Sequence, residues 1–230
     1  MTQTTLRCKL ICMRTASDHE ETPDDPAAML RLLRDQERRT QRWSQRTYAV
    51  MLVVWALAWA VGFGFLWSAE TTGGSPWPRV PQQLAWIVFG VAMAVAIVVS
   101  IVAGVRSGIG VRGPSKLAGA MYGWSWTISM SGAAFIIGAV QRAGLPPTTI
   151  GILAPAMFAL LTGALYLAGG ALWRSPAQFA LGCVMIATAV TASFVGAPTH
   201  YLIYATVGGG AMLISAVLLA RGVLPYESAR

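Results

Sequence analysis

Six long apolar runs, separated by short connections, dominate the chain. They comprise residues 47–67, 84–105, 117–140, 150–173, 177–196 and 200–220. None of these runs contains Asp, Glu, Lys or Arg. Each is long enough to cross about 30 Å of hydrocarbon, which takes about 20 predominantly apolar residues. The pattern predicts an all-α membrane protein with six transmembrane helices.

The connections between the runs contain residues that typically end helices. These residues include Gly73, Gly74, Pro76, Pro78, Gly113, Pro114, Pro146, Pro147, Pro176 and Pro198. Because the connections are short, consecutive helices must be antiparallel neighbours. We therefore expect the six spans to form three antiparallel hairpins.

The segment before the first run divides into two parts. Residues 15–25 are polar and acidic without periodicity, which is typical of disorder, and residues 1–25 are predicted to form a disordered cytoplasmic tail. Asp25 and Pro26 then form the pattern of an N-cap and a first-turn proline, so residues 26–46 are predicted to form a basic juxtamembrane helix. One face of that helix carries Arg31, Arg34, Arg38, Arg42 and Arg46. This stripe either lies against anionic lipid headgroups or belongs to a solvated helix that runs straight into the first span.

Basic residues near the ends of the runs lie mostly on one side of the predicted membrane. Twelve share the side of the amino terminus: Arg31, Arg34, Arg38, Arg39, Arg42, Arg46, Arg106, Arg112, Lys116, Arg174, Arg221 and Arg230. The opposite side has Arg79 and Arg142. Because translocation of Lys and Arg is disfavoured, we expect a multi-pass protein of the cell membrane with both termini, including residues 221–230, in the cytoplasm.

The composition excludes a soluble globule, because 55% of the residues are hydrophobic, only 11% are charged and the mean hydropathy is +0.57. The net charge of +8 then reflects topology and lipid contact, so nucleic acid is not an expected partner. Cys8, Cys12 and Cys183 are expected to be free thiols, because no Cys–His cluster has the spacing of a zinc site.

Residues that could carry catalysis or hold a cofactor or metal are few, and the sequence predicts none of these sites and no enzyme. The segment Gly108–Gly113 matches the spacing G-x-G-x-x-G. It lies between two membrane helices instead of after a strand, so nucleotide binding is not expected. Arg106, Arg112 and Lys116, within and beside this segment, either bind a lipid phosphate or a cytoplasmic partner, or only hold a plain turn on the cytoplasmic side of the membrane by their charge.

The third run is small on two faces. One face carries Ala118, Tyr122, Ser125, Ser129 and Gly132, and a nearly opposite face carries Ala120, Gly123, Thr127, Ser131, Ala134 and Gly138. Small residues allow membrane helices to approach closely, which favours a third span packed between two neighbours. The alternative is that Tyr122, Ser125 and Ser129 line a polar cavity for a substrate.

The last run has two features of its own. His200 and Tyr201 could form a polar cluster, but the pattern favours a histidine at the outer edge that faces headgroups and water. Gly208, Gly209 and Gly210 are candidates for a helix break of the kind that marks transporter sites, although glycine is also common in membrane helices for packing. Pro155 removes a helical hydrogen bond from the fourth run.

The stretches Gly110–Ser115 and Gly119–Trp126, with Pro198–Tyr201 and the later glycine run, resemble a group of uncharacterised actinobacterial integral membrane proteins that are often called transporters. The resemblance covers roughly residues 25–219. It implies a six-helix membrane protein and brings no substrate or catalytic residue.

Two classes of function fit these observations. The first is a small transporter, or the membrane subunit of an exporter driven by a separate ATPase. The second is a non-transporting membrane protein that senses, scaffolds or modulates a partner such as a regulatory protein, which fits the lack of charge inside the runs. Assembly into a homo-oligomer is open in both classes.

Overall fold

The structure is a computed structural model that describes residues 26–71, 78–107 and 114–223. Its helices are α1 (Pro26–Glu70), α2 (Gln82–Ser107), α3 (Pro114–Arg142), α4 (Pro147–Leu172), α5 (Pro176–Val195), α6 (Thr199–Ile203) and α7 (Gly209–Ala220). One turn of π-helix, Tyr204–Gly208, joins α6 to α7. No strand occurs in these three ranges.

Six helical segments among the described residues are long and apolar enough to cross a membrane. They are Gln45–Glu70, Gln82–Arg106, Lys116–Arg142, Pro147–Leu172, Pro176–Val195 and Thr199–Ala220, which we call the first to sixth span. Each coincides with a predicted run to within three residues at either end. The prediction of an all-α, six-span membrane protein is confirmed.

Contacts divide the chain into two compact units, Met1–Arg42 and Trp43–Arg230. In the first unit, the predicted tail of residues 1–25 lies outside the described residues, and α1 begins at Pro26, the proline predicted for its first turn. Exposed apolar side chains at Met29, Leu32 and Leu33 lie opposite exposed arginines 31 and 34 on the helical wheel. This part of the helix is amphipathic.

In the second unit, the packed core is built around the first span. Most of its buried residues are spaced three or four positions apart: Ala49, Leu52, Ala56, Trp59, Phe63, Leu66 and Ala69. This spacing keeps them in one stripe along the helix. In their most apolar stretches, 44% of the first span and 39% of the fifth and sixth are buried, against 6% of the second. The first, fifth and sixth spans therefore form the centre, and the second lies at the edge.

The fourth and fifth spans are held together by backbone contact at glycines. A Cβ added at Gly163 would lie 2.9 Å from the carbonyl oxygen of Gly182, and one at Gly182 would lie 2.8 Å from the carbonyl oxygen of Gly163. Further along, a Cβ at Gly170 would lie 2.7 Å from the backbone nitrogen of Phe179. Only glycine leaves room for such an approach, which is how small residues pair helices in lipid.

The sixth span is not interrupted by its three glycines, so of the two alternatives left open, a helix break and close packing, the structure has close packing. Gly208 and Gly209 have helical dihedral angles, and Gly210 lies inside α7. A Cβ at Gly208 would lie 2.7 Å from the ring of Trp59, and one at Gly209 would lie 3.2 Å from the carbonyl oxygen of Ala56. These two glycines allow close packing on the first span, and the irregularity is the π-helical turn that ends at Gly208.

Candidate functional site

Tyr122 anchors the third span to the rest of the bundle. Its hydroxyl donates a hydrogen bond to the carbonyl oxygen of Leu165 (2.8 Å) and accepts one from Nε2 of Gln178 (3.2 Å). Gly169 leaves room for this pair, because a Cβ there would overlap both Gln178 Nε2 and the Tyr122 hydroxyl. The Tyr122 ring also packs edge-on against Trp173, with centroids 4.6 Å apart. The third span is thus tied to the fourth and fifth.

The three residues predicted to line a substrate cavity play different parts in the structure. Tyr122 joins helices, whereas the Ser125 hydroxyl donates to the carbonyl oxygen of Met121 in its own helix (2.9 Å), and Ser129 is half-buried. A void of about 10 Å³ beside Gln178 has room for at most one water. The observed contacts are those of helix packing, and a substrate cavity at these residues stays a prediction.

His200 is completely buried near the start of the sixth span, which contradicts the prediction that it faces headgroups and water. Its Nε2 lies 3.1 Å from the carbonyl oxygen of Gly151 in the fourth span. Because a carbonyl oxygen only accepts hydrogen bonds, Nε2 carries the hydrogen and Nδ1 of the neutral ring carries none. Nδ1 is buried and makes no hydrogen bond in the described structure.

Pro155 explains why the Gly151 carbonyl oxygen is available to His200. In an α-helix the carbonyl of residue 151 accepts the N–H of residue 155, and a proline at that position has no N–H. The imidazole supplies the missing donor, which draws His200 into the bundle. The sequence signal was present, as a proline inside one span and a histidine at the end of another, but sequence reasoning did not connect them.

An aromatic cluster surrounds His200. The His200 ring lies on Tyr201 with centroids 3.9 Å apart, and the Tyr204 ring lies 6.3 Å away. Phe63 of the first span contacts both tyrosines, at 6.1 and 5.0 Å between centroids. Glu70, half-exposed at the end of the first span, lies within electrostatic range of His200 and Tyr201. The aromatic rings join the first span to the sixth, and the hydrogen bond from His200 to Gly151 joins the sixth span to the fourth.

The predicted basic contact group is only partly within the described residues. Arg106 at the end of the second span and Lys116 at the start of the third are both exposed. Arg112 and the rest of the segment Gly108–Gly113 lie outside the described ranges. Contact of this group with a lipid phosphate or a cytoplasmic partner stays a prediction.

The third span packs against the fourth and fifth through the face that carries Tyr122, and in the described residues the opposite small face is mostly exposed, so the expectation of a neighbour on both small faces is wrong there. Its free face carries a row of small residues with a spacing of four: Gly119, Gly123, Thr127 and Ser131. All four are exposed, and a Cβ at either glycine would meet nothing within 4 Å. The spacing G-x-x-x-G, typical of close helix pairing in membranes, is the signal that sequence reasoning passed over.

Within the described ranges, no group of three or more His, Cys, Asp or Glu side chains could hold a metal ion. Comparison of the chain with protein-family models, with curated proteins and with solved structures finds no match.

Proposed function

We propose that this protein is a non-transporting membrane protein that binds another integral membrane protein through its third span and scaffolds or modulates it. The observation that carries this proposal is a mismatch between the polarity and the burial of that span. The third span has the lowest mean hydropathy of the six, yet only 11% of its most apolar stretch is buried within the chain.

The second span shows why this mismatch is informative. It is even less buried, at 6%, but it has the highest mean hydropathy of the six spans, as expected of a helix that faces lipid. Hydroxyl groups and exposed backbone interact poorly with hydrocarbon and favour contact with protein. The third span is as exposed as a lipid-facing helix but has the composition of a helix that other helices cover.

The glycines support the same inference. Glycine inside a helix costs about 1 kcal/mol relative to alanine. At Gly163 and Gly182 this cost is offset by backbone contact between two helices. At Gly119 and Gly123 no such contact exists among the described residues, because an added Cβ would meet nothing within 4 Å. A helix of a partner protein that packs on this face would make the equivalent contact.

The other class of function is a transport component. A transporter needs a pathway or a binding site for its substrate. The polar groups described above, at Tyr122 and His200, are engaged in contacts between helices. An exporter subunit would also bind a partner, but the ATPase would be at the cytoplasmic ends of the helices. The free face of the third span instead favours a partner within the membrane.

A photo-crosslinking amino acid placed at Thr127 or Ser131, in cells that produce the protein naturally, tests the proposal. We expect both positions to crosslink to the same integral membrane protein, identified by mass spectrometry. The matched control is Val91, exposed on the apolar second span, which should crosslink only to lipid. Gly123→Leu should abolish the protein adduct without lowering thermal stability, because position 123 is open.

Each other outcome contradicts the proposal in a defined way. Adducts with lipid alone from both third-span positions would make this face an ordinary lipid contact. An adduct of twice the mass of the chain would make it a self-association surface and remove the support for a modulator. A crosslinked partner that belongs to an ATP-driven exporter, together with loss of export in the Gly123→Leu variant, would favour the transport class.

We also propose that the protein lies in the cell membrane with both termini in the cytoplasm. The support is the excess of basic residues on the side of the amino terminus, twelve against two. On this orientation the His200 cluster is at the outer ends of the spans and Tyr122 is nearer the inner ends.

A further inference from the structure

The imidazole of His200 lies between two backbone carbonyl oxygens and can satisfy only one of them while it is neutral. Nε2 donates to the Gly151 oxygen at 3.1 Å. The carbonyl oxygen of Gly196, which accepts the backbone N–H of His200 at 2.9 Å, also faces the ring. Neither the Gly196 oxygen nor an unprotonated Nδ1 carries a hydrogen to donate, so the two cannot form a hydrogen bond with each other. Nδ1 is therefore left without a hydrogen bond. Only the protonated ring has a second N–H to donate.

The unsatisfied Nδ1 is not explained by a purely structural role. Completing the hydrogen bonding of Gly151 requires one N–H, which a glutamine or tryptophan side chain also provides. An unsatisfied buried acceptor costs about 1–3 kcal/mol, and buried polar groups in proteins are rarely left without a partner. Histidine differs from those alternatives in one respect, because it can take up a proton near neutral pH.

Burial disfavours a charged ring, and the groups that oppose this effect come from several elements. From the first span, the carboxylate of Glu70 lies within electrostatic range. From its own helix, the rings of Tyr201 and Tyr204 lie 3.9 and 6.3 Å away between centroids. The fourth span contributes the Gly151 carbonyl oxygen, and the residue after the fifth span contributes that of Gly196. Glu70 is half-exposed, so the cluster reaches the edge of the bundle where water supplies protons.

We propose that His200 is a proton-binding site whose occupancy changes how the sixth span packs against the fourth. A proton from water binds Nδ1 and gives an imidazolium, with no other bond made or broken. The new N–H can donate to Gly196, and the bond from Nε2 to Gly151 becomes charge-assisted and shorter. The π-helical turn Tyr204–Gly208 begins one turn after His200 and provides an irregular segment that can adjust, as such turns often do at functional sites. This inference is independent of the partner site on the third span.

Nuclear magnetic resonance on the full chain in lipid nanodiscs tests the proposal directly. The chain has two histidines, His19 and His200, so a His19→Asn variant with ¹⁵N-labelled histidine gives the ring signals of His200 alone. We expect the Nδ1 signal to change from an unprotonated to a protonated nitrogen as the pH is lowered from roughly 8 into the acidic range. The ¹³C signal of the Gly151 carbonyl should move with the same midpoint.

Two variants sharpen the test. Glu70→Gln should move the midpoint to lower pH, because removal of a nearby negative charge disfavours the imidazolium. His200→Gln keeps an N–H donor and should abolish the pH-dependent shift at Gly151. A His200 ring that keeps a protonated Nε2 and an unprotonated Nδ1 over the whole range would overturn the proposal. A titration that leaves the Gly151 signal unmoved would do the same, and both results come from a chain with His200 intact.

Discussion

Replacing His200 by phenylalanine tests whether the histidine completes the hydrogen bonding of a proline-containing helix. His200→Phe keeps a buried aromatic ring but removes the N–H that donates to the Gly151 carbonyl oxygen at 3.1 Å. Since Pro155 cannot supply the usual helical N–H, that oxygen loses its donor. Because position 200 is completely buried, water does not take the place of the lost donor.

The expected size of the effect follows from the two donors that the Gly151 oxygen can have. An unsatisfied buried carbonyl costs about 1–3 kcal/mol, so His200→Phe should lower the free energy of unfolding by about 2 kcal/mol. Pro155→Ala adds a backbone N–H at the helical position, so in this background His200→Phe should cost less than about 1 kcal/mol. The expected coupling between the two positions is therefore about 1–2 kcal/mol, measurable by a double-mutant cycle.

The four proteins of the cycle would be purified in one mild detergent and unfolded with a denaturing detergent, with tryptophan fluorescence as the signal. Thr206→Ala provides a control, because its hydroxyl donates only to Leu202 of its own helix and should show no coupling to Pro155→Ala. Equal losses on His200→Phe in the wild-type and Pro155→Ala backgrounds would refute the link between the histidine and the proline.

Three further predictions concern packing, topology and lipid contact. Gly208→Ala should lower the unfolding free energy in detergent by about 1–2 kcal/mol, because its methyl group would overlap the Trp59 ring. Gly210→Ala, where an added Cβ meets nothing, should leave the unfolding free energy unchanged or raise it. Equal effects of the two substitutions would contradict the packing role of Gly208. In a chain without its native cysteines, a cysteine at position 148 should react with an impermeant maleimide in intact cells and one at position 115 should not; the reverse would invert the topology. A peptide of residues 25–46 should bind anionic vesicles as a helix and dissociate as the salt concentration rises. Equal binding to neutral vesicles would show that the arginine stripe of this helix faces water and does not bind lipid headgroups.

The helices could be predicted from the sequence because the bilayer itself imposes their length and excludes charge. The first residues of three helices could be predicted as well, because these helices begin at Pro114, Pro147 and Pro176, prolines that lie in the connections between apolar runs. Proline suits the first turn of a helix, where its missing N–H has no partner to lose. Both properties depend on residues that are close together in the chain, so a single sequence is enough to predict them.

The packing partners could not be predicted, because both faces of a membrane helix are apolar. In water, the buried face of a helix is its apolar face, but in lipid the distinction between inside and outside depends on side-chain size and shape. His200 illustrates the difficulty. Its burial depends on a carbonyl left free by Pro155 in another span, and nothing near His200 in the sequence indicates which span that is.

The two glycine pairs of the chain show how the structure adds to the sequence. Gly163 faces Gly182 across a helix contact, whereas Gly119 and Gly123 share one helix and face open space. In the sequence all four are glycines in apolar helices, with the same cost of about 1 kcal/mol each relative to alanine. The bundle offsets that cost for the first pair only. The second pair has no compensating contact among the residues that the structure describes, and this difference is the physical reason for seeking a partner helix at the third span.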